Sequence, residues 1–421
     1  MKKTFIFNLV CMLICTGLIL PTAGTIVMNT PSEKPTSLRT VGVHPSNERS
    51  IIPLFVNENW MKTFGGWRYD VGISTQQTAD GGYIIVGITA SKGAGKDDVW
   101  LIKTDSMGAK IWEKTFGGPD IDIGVSVQQT TDEGYIITGR TRSYGNGLDD
   151  VWLIKTNNLG IKEWEKTFGG TLHDGGSQVR QTNDGGYIIV GDVNNDGGGD
   201  GDLWIIKTDG TGTMQWEKIY DGHGSPLSHD SGSSIALCSD GDYIIAGGTF
   251  TRTDTYGYNI WLIKIDEEGN HLWNETFGGS DSEFVSSVIQ TNDGGYLMVG
   301  VDSYTNPDET VWIIKTDENG EFQWEQKYAG MGTARGESVQ QTSDGGFIIA
   351  GFTYRKFSRY KALIVKTDEN GAKQWSKIFF GGVGNSIASS VQQTTDGGYI
   401  IGGERSLFLN SNVWLIKYYP R

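Results

Sequence analysis

A unit of about fifty residues recurs seven times in this 421-residue chain. Each copy runs through an SVQQT-like segment, a DGGYIIVG-like segment, a DVWLIKTD-like segment and a WEKTFGG-like segment. The Asp of the second segment falls at Asp80, Asp132, Asp184, Asp240, Asp293, Asp344 and Asp396. The third segment carries Leu101, Leu153, Ile205, Leu262, Ile313, Ile364 and Leu415 at one position. The last carries Trp60, Trp112, Trp164, Trp216, Trp273, Trp324 and Trp375. A repeat this strict makes each unit one supersecondary element that shares its core with its neighbours.

Within a unit, four short runs alternate with turn residues. In the first, Ile73 to Thr78, Tyr83 to Thr89, Val99 to Thr104 and Ile111 to Phe116 are rich in β-branched and aromatic residues. Asp80-Gly81-Gly82 and Asp105-Ser106-Met107-Gly108 supply turns, with Gly accepting positive φ. The run Tyr83-Ile84-Ile85-Val86 is apolar at every position, so its sheet needs cover on both faces. An open stack would need polar capping units, and no copy reads as one. A closed ring covers every face. The expectation is an all-β fold over residues 58–421: a seven-bladed β-propeller of four-stranded antiparallel blades. The seventh unit lacks its last strand, whereas Trp60-Met61-Lys62-Thr63-Phe64 precedes the first unit as a spare. The N-terminal strand is therefore expected to pair with the C-terminal blade. Lys62, Lys114, Lys166 and Lys218 in the outer strands suit edges protected against aggregation.

The hairpin Thr104-Asp105-Ser106-Met107-Gly108-Ala109-Lys110-Ile111-Trp112 resembles the Trp-bearing hairpin of quinoprotein-type (PQQ-like) propeller repeats. The same pattern recurs at Asp209, Asp266, Asp317 and Asp368. More loosely it is similar to the Asp-box hairpin of sialidases. The repeat as a whole resembles those of secreted prokaryotic β-propeller proteins, some of whose relatives carry polysaccharide-hydrolase (endoglucanase-like) names. The resemblance implies a propeller in which the Trp docks between blades as a structural residue. Quinoprotein dehydrogenases use eight blades, a calcium ion and often a vicinal disulfide. Seven units do not match that pattern, so the quinone is not carried over.

Gly makes up 61 residues, roughly twice the usual share, and fits the turns. Net charge is −15, which disfavours phosphate backbones and anionic lipid, so no nucleic-acid partner is expected. Lys2 and Lys3, the apolar stretch from Phe5 to Leu20 and Pro21-Thr22-Ala23-Gly24 read as a signal peptide over residues 1–24. Retention as an uncleaved anchor is the rival reading. Residues 25–57, with Pro31, Pro35, Pro45 and Pro53, read as a flexible linker. The expected location is extracellular or at the cell surface, with no transmembrane span in the mature chain and a monomeric state. Cleavage would leave Cys238 as the one cysteine, so stability rests on packing rather than disulfides.

Strand alternation puts the DGG and TDxxG turns on one face. The loops between second and third strands share the other face with the links between blades. The first face hardly changes between units and the second changes in every one. Binding through the variable face is therefore expected, with a glycan or cell-surface protein as partner. Arg335, in the link before the sixth unit, and Tyr354, Arg355, Lys356, Arg359 and Tyr360, in its loop, form a basic aromatic patch on an acidic chain. Such a patch suits carboxylate or sulfate groups of a polysaccharide. Tyr256 and Tyr258, with Phe250 and Tyr304, add exposed aromatics. Asp192, Asn194, Asp196 and Asp200 begin like a calcium loop, D-x-N-x-D-G, although Leu203 stands where the bidentate Glu belongs. Calcium is the cofactor this segment points to, and no other is expected. His173, His223 and His229 lack regular zinc spacing. No nucleophile or metalloprotease motif occurs, and the recurring Asp70, Asp122, Asp174 and Asp230 read as link chemistry. The function expected is non-catalytic binding. The alternative is a polysaccharide-active glycoside hydrolase or lyase, whose carboxylate pair cannot be picked from 50 acids.

Overall fold

The structure is a computed structural model. It describes residues 59–194, 201–222, 230–252, 256–279, 282–302, 310–330, 332–355, 358–382, 384–407 and 410–420. The proposed signal peptide and linker lie outside these residues. The described residues form seven four-stranded antiparallel sheets and no helix. In the first blade the strands are Asp70–Gln77, Tyr83–Thr89, Asp98–Thr104 and Lys110–Phe116, in that spatial order. Both middle strands are buried along their whole length, because neighbouring blades cover both their faces. Cores such as that of Ile84, Val86, Leu101, Val127, Tyr135 and Trp152 form between adjacent blades rather than within one.

The spare N-terminal strand closes the ring. Trp60–Phe64 joins Asn410–Tyr418, with Trp60 opposite Lys417 and Phe64 opposite Val413. Three contacts repeat around the circle. First, each outer-strand Trp reaches the next blade. Trp60 meets Tyr83 edge-on at 5.9 Å and covers Gly108, where a Cβ would sit 2.6 Å from the indole and φ is 73°. Trp112 meets Gly160 and Trp164 meets Gly212 in the same way, so the Trp has the docking role its hairpin implied. Second, the first Gln of each QQT-type segment accepts a backbone N–H from the next blade. Gln129 N donates to Gln76 and Gln181 N to Gln128, both at 2.7 Å. Gln77 N donates to Gln392 at 2.7 Å and bridges the two ends of the chain.

Third, each blade buries the Lys of its third strand beneath the Asp of its DGG-type turn. Lys103 lies 2.8 Å from Asp80, Lys207 2.7 Å from Asp184 and Lys417 2.7 Å from Asp396. Burial pushes the Asp184 carboxyl up, but bonds from Lys207, Thr182 and the Gly186 N–H outweigh it and bring it down to about 2. The turn is thus held ionised and ordered at neutral pH.

Two expectations need correction. Arg335 stands inside the strand Thr333–Gln341, not in a link, since Thr333, Ala334 and Arg335 find partners in Tyr354, Thr353 and Phe352. Phe250 and Tyr258 are not exposed loop residues. The strands Tyr243–Arg252 and Tyr256–Ile265 run on as an extended hairpin in which these two rings sit opposite each other, half-buried.

Closure by the first strand makes a direct prediction. A chain lacking residues 1–66 is expected to lose on the order of 10 °C or more of thermal midpoint, whereas one lacking residues 1–56 keeps it. Circular dichroism melts of the two truncations check this.

Candidate functional site

The seven innermost strands enclose a channel of about 690 Å³ lined by all seven blades. Each of these strands carries a β-bulge at the same place, after Gly72, Gly124, Gly176, Gly232, Val285, Gly336 and Ala388. A bulge leaves one residue without a cross-strand partner and re-aims its side chain. The residues so placed are Ile73, Val125, Ser177, Ser233, Ser286, Glu337 and Ser389, and all seven line the channel. Six are small or apolar and the seventh is Glu337. Burial pushes the Glu337 carboxyl up to about 7, against the opposing pull of Arg335 two residues earlier.

Toward the variable face, the second strands contribute Ile88, Arg140, Asp192, Phe352 and Glu404 to the lining. Burial also raises Glu404 to about 7, with the Ser411 hydroxyl, 3.5 Å away, working against it. Toward the turn face, Arg180 replaces the Gln found at this position in four of the blades (Gln76, Gln128, Gln340 and Gln392). Burial alone pulls Arg180 down to about 10, so it stays cationic. Two residues earlier, Gln178 stands where Ser74 and Ser126 accept an inter-blade N–H, and it accepts Ile235 N–H at 2.6 Å.

The sixth blade builds the mouth. The Arg335 guanidinium lies 5.9 Å from the centre of the Phe352 ring. Tyr360 meets Phe352 edge-on at 5.1 Å and Tyr354 at 5.0 Å. Asn385, from the link to the seventh blade, accepts Tyr360 N–H at 3.1 Å and fixes the loop end. Arg355 and Arg359 are exposed in that loop, whose turn is held by Ser358 N–H donating to the Arg355 carbonyl at 2.7 Å. Lys356 lies outside the described residues. The structure thus brings Arg335, Tyr354 and Tyr360 together. Tyr258 belongs to a different junction, where it packs on Phe250 at 5.3 Å and on Phe284 at 5.4 Å. The side chain of Tyr256, and Tyr304 entirely, lie outside the described residues.

Two of the residues expected to hold metal are described. Asp192 lines the channel, whereas Asn194 N–H donates to Asp174 at 2.8 Å. Asp196 and Asp200 lie outside the described residues, as do His223 and His229. His173 Nδ1 rests 2.6 Å from Asp149, which also binds Arg142. The recurring Asp residues do serve the links: Asp70 accepts Gly66 N–H and the Ser91 hydroxyl, both at 2.7 Å.

Glu337, Glu404, Arg140 and Arg180 were not singled out by reading along the chain. Aligning the seven units column by column finds Glu337, because its column otherwise holds only Ile, Val and Ser. Chemically, the mouth offers cations and aromatic faces to an anionic, ring-shaped ligand. The channel offers two carboxyls that exchange protons near neutral pH.

No family model matches the chain. It is 22% identical over 227 residues to the regulatory protein FlaEY of Caulobacter vibrioides, covering 46% of this chain and 23% of that one. The chain thus spans about a quarter of the length of this curated relative. Among solved structures, a polysaccharide lyase, an ulvan lyase bound to a GlcA-containing saccharide, superposes with a TM-score of 0.53 at 11% identity. That match covers 82% of this chain and 94% of the lyase. An α-L-arabinanase of Penicillium chrysogenum, complexed with arabinobiose, gives a TM-score of 0.48 at 12% identity over 85% of this chain and 97% of that one. The likeness to the lyase is one of fold alone. Among the described residues, no helix is long and apolar enough to cross a membrane.

The raised Glu337 carboxyl predicts a pH signature. With a folded value of about 7 against an ordinary 4.5, ionised Glu337 opposes folding above pH 7 and ceases to do so below 4.5. Glu337 is only half-buried by exposed area, so solvent screening softens the penalty. Glu337→Gln is therefore expected to stabilise the ring by about 1 kcal/mol at pH 8 and to be neutral at pH 4. Urea melts at the two pH values check the sign.

Proposed function

We propose that the protein is exported and binds an anionic glycan at the variable-face mouth of its channel. The carrying observation is the sixth blade, where Arg335 and the edge-packed rings of Phe352, Tyr354 and Tyr360 converge. At Arg335's position the other blades carry Val71, Ile123, Gly175, Ser231, Phe284 and Ile387, none of which is charged. Guanidinium groups pair bidentately with carboxylate or sulfate, and flat rings stack on sugar faces. The net charge of −15 repels such a ligand elsewhere, so a local cationic mouth selects where it lands. The GlcA-containing saccharide of the ulvan lyase supports this class of ligand by analogy of fold. The Trp-on-Gly docking supports kinship with quinoprotein-like repeats at the level of scaffold.

A second reading, a polysaccharide hydrolase or lyase, draws on Glu337 and Glu404. Two channel carboxyls close to neutral titration are what general acid–base chemistry needs.

A screen of the purified chain on a glycan array, followed by calorimetry with a polyuronate, tests the proposal. Replacing Arg335, Arg355 and Arg359 together with Ala is expected to weaken polyuronate binding at least about 10-fold and to flatten its salt dependence. Unchanged affinity would remove the mouth as the site. Release of reducing ends or unsaturated product, abolished by Glu337→Gln or Glu404→Gln, would establish the enzymatic reading instead.

A further inference from the structure

At several blade junctions the residue five after the outer-strand Trp lies between two side chains from neighbouring strand starts. One lies near the start of the third strand of the same blade and the other near the start of the innermost strand of the next. At the first junction these are Asp98 and Asp122, and the residue between them is Gly117. A Cβ on Gly117 would stand 1.9 Å from Asp98 Oδ1 and 2.9 Å from Asp122 Oδ2. At the second junction, a Cβ on Gly169 would stand 2.4 Å from Asp150 Oδ1 and 2.5 Å from Asp174 Oδ2. At the fourth, Gly278 lies between Asn259 and Glu283 with the same crowding. Glycine is thus what an opposed acidic pair, or an acid facing an amide, leaves room for.

The third junction breaks this rule. Asp202 and Asp230 form the same opposed pair, and Gly222 N–H donates to Asp230 at 2.8 Å as Gly118 N–H donates to Asp122. Yet the residue between them is Asp221. Its carboxylate joins the other two, so that oxygens of Asp202, Asp221 and Asp230 all lie within 4.8 Å of one another. Asp230 is fully buried, where like charges repel strongly.

A separate observation points into the same pocket. In the first two blades the Thr that ends the second strand donates its hydroxyl to the equivalent acid, Thr89 to Asp70 and Thr141 to Asp122. The fourth-blade counterpart, Thr249, is 1% exposed, and its hydroxyl has no partner among the described residues. It flanks Gly222 together with Asp230. A Cβ on Gly222 would lie 2.4 Å from Thr249 Oγ1 and 3.2 Å from Asp230 Oδ1. A buried hydroxyl released from its usual acceptor, beside three converging carboxylates, gathers four oxygen donors at one junction.

We propose that Asp202, Asp221 and Asp230 hold a calcium ion between the third and fourth blades, with Thr249 facing the same pocket. The donors are all oxygen, which suits a hard cation and disfavours zinc. Calcium accepts several carboxylates in irregular geometry and completes its shell with carbonyls or water, whereas magnesium demands a near-ideal octahedron. This site is distinct from the channel and would serve the ring rather than the ligand.

The test uses the full chain, stripped with EDTA and titrated with CaCl2 by calorimetry, with thermal melts in parallel. One binding event is expected, with a midpoint that rises as calcium is added. Asp221→Gly installs the residue of the first two junctions, so it is expected to keep the fold and lose the calcium-dependent rise. Asp221→Asn is expected to weaken binding at least about 10-fold, and it serves if the glycine variant fails to fold. No heat and identical midpoints in calcium and EDTA would overturn the proposal. So would full affinity in either variant, or magnesium binding as tight as calcium.

Discussion

Everything in this molecule depends on sheets whose two faces are both apolar. Residues such as Ile84, Ile85, Val86 and Leu101 are at most 1% exposed, and no single blade can bury them alone. Each blade therefore lends one face to each neighbour, and the cores lie between blades. At about 25 cal/mol per Å² of buried apolar surface, such seams supply the bulk of the favourable energy. An unmatched end blade would leave a large apolar face in water. Ring closure by Trp60–Phe64 removes that end.

Polar contacts then make the closed arrangement specific. The Trp of one blade fits only over a glycine of the next, since a Cβ at Gly108 would collide with the Trp60 indole. The Gln ladder sets the height of each innermost strand against its neighbour, and the Lys–Asp pair secures each turn. These residues are committed to contacts within the ring. Function is left to positions where the units differ. The sixth blade differs most, with Leu363 where the other six carry a buried Trp, Arg335 at the mouth and Glu337 at the bulge.

Much of the fold was legible because the repeat is read seven times. The spacing of Tyr83 to Thr89 matches an observed strand end to end, and the predicted first, third and fourth runs fall short of the observed strands by one to three residues at their starts. The basic aromatic patch was legible as an anomaly of charge. What failed did so for physical reasons. Arg335 has no apolar alternation beside it to mark a strand, yet cross-strand pairing with Phe352 makes it one. Tyr258 looks like a free aromatic until Phe250 and Phe284 close over it. Glu337 and Glu404 are two acids among 50, and nothing adjacent in the chain announces that they point inward.

By itself, the sequence determined the strand count, the turn chemistry, the number of blades and the strand that closes them. These follow from local pattern and from copies that must share one solution. Only the tertiary structure decided which side chains meet in the channel and at the blade junctions. A ring brings together residues hundreds of positions apart, such as Gln77 and Gln392, and a bulge selects which of two adjacent side chains faces inward. Those outcomes depend on closure and register, which no stretch of one strand encodes.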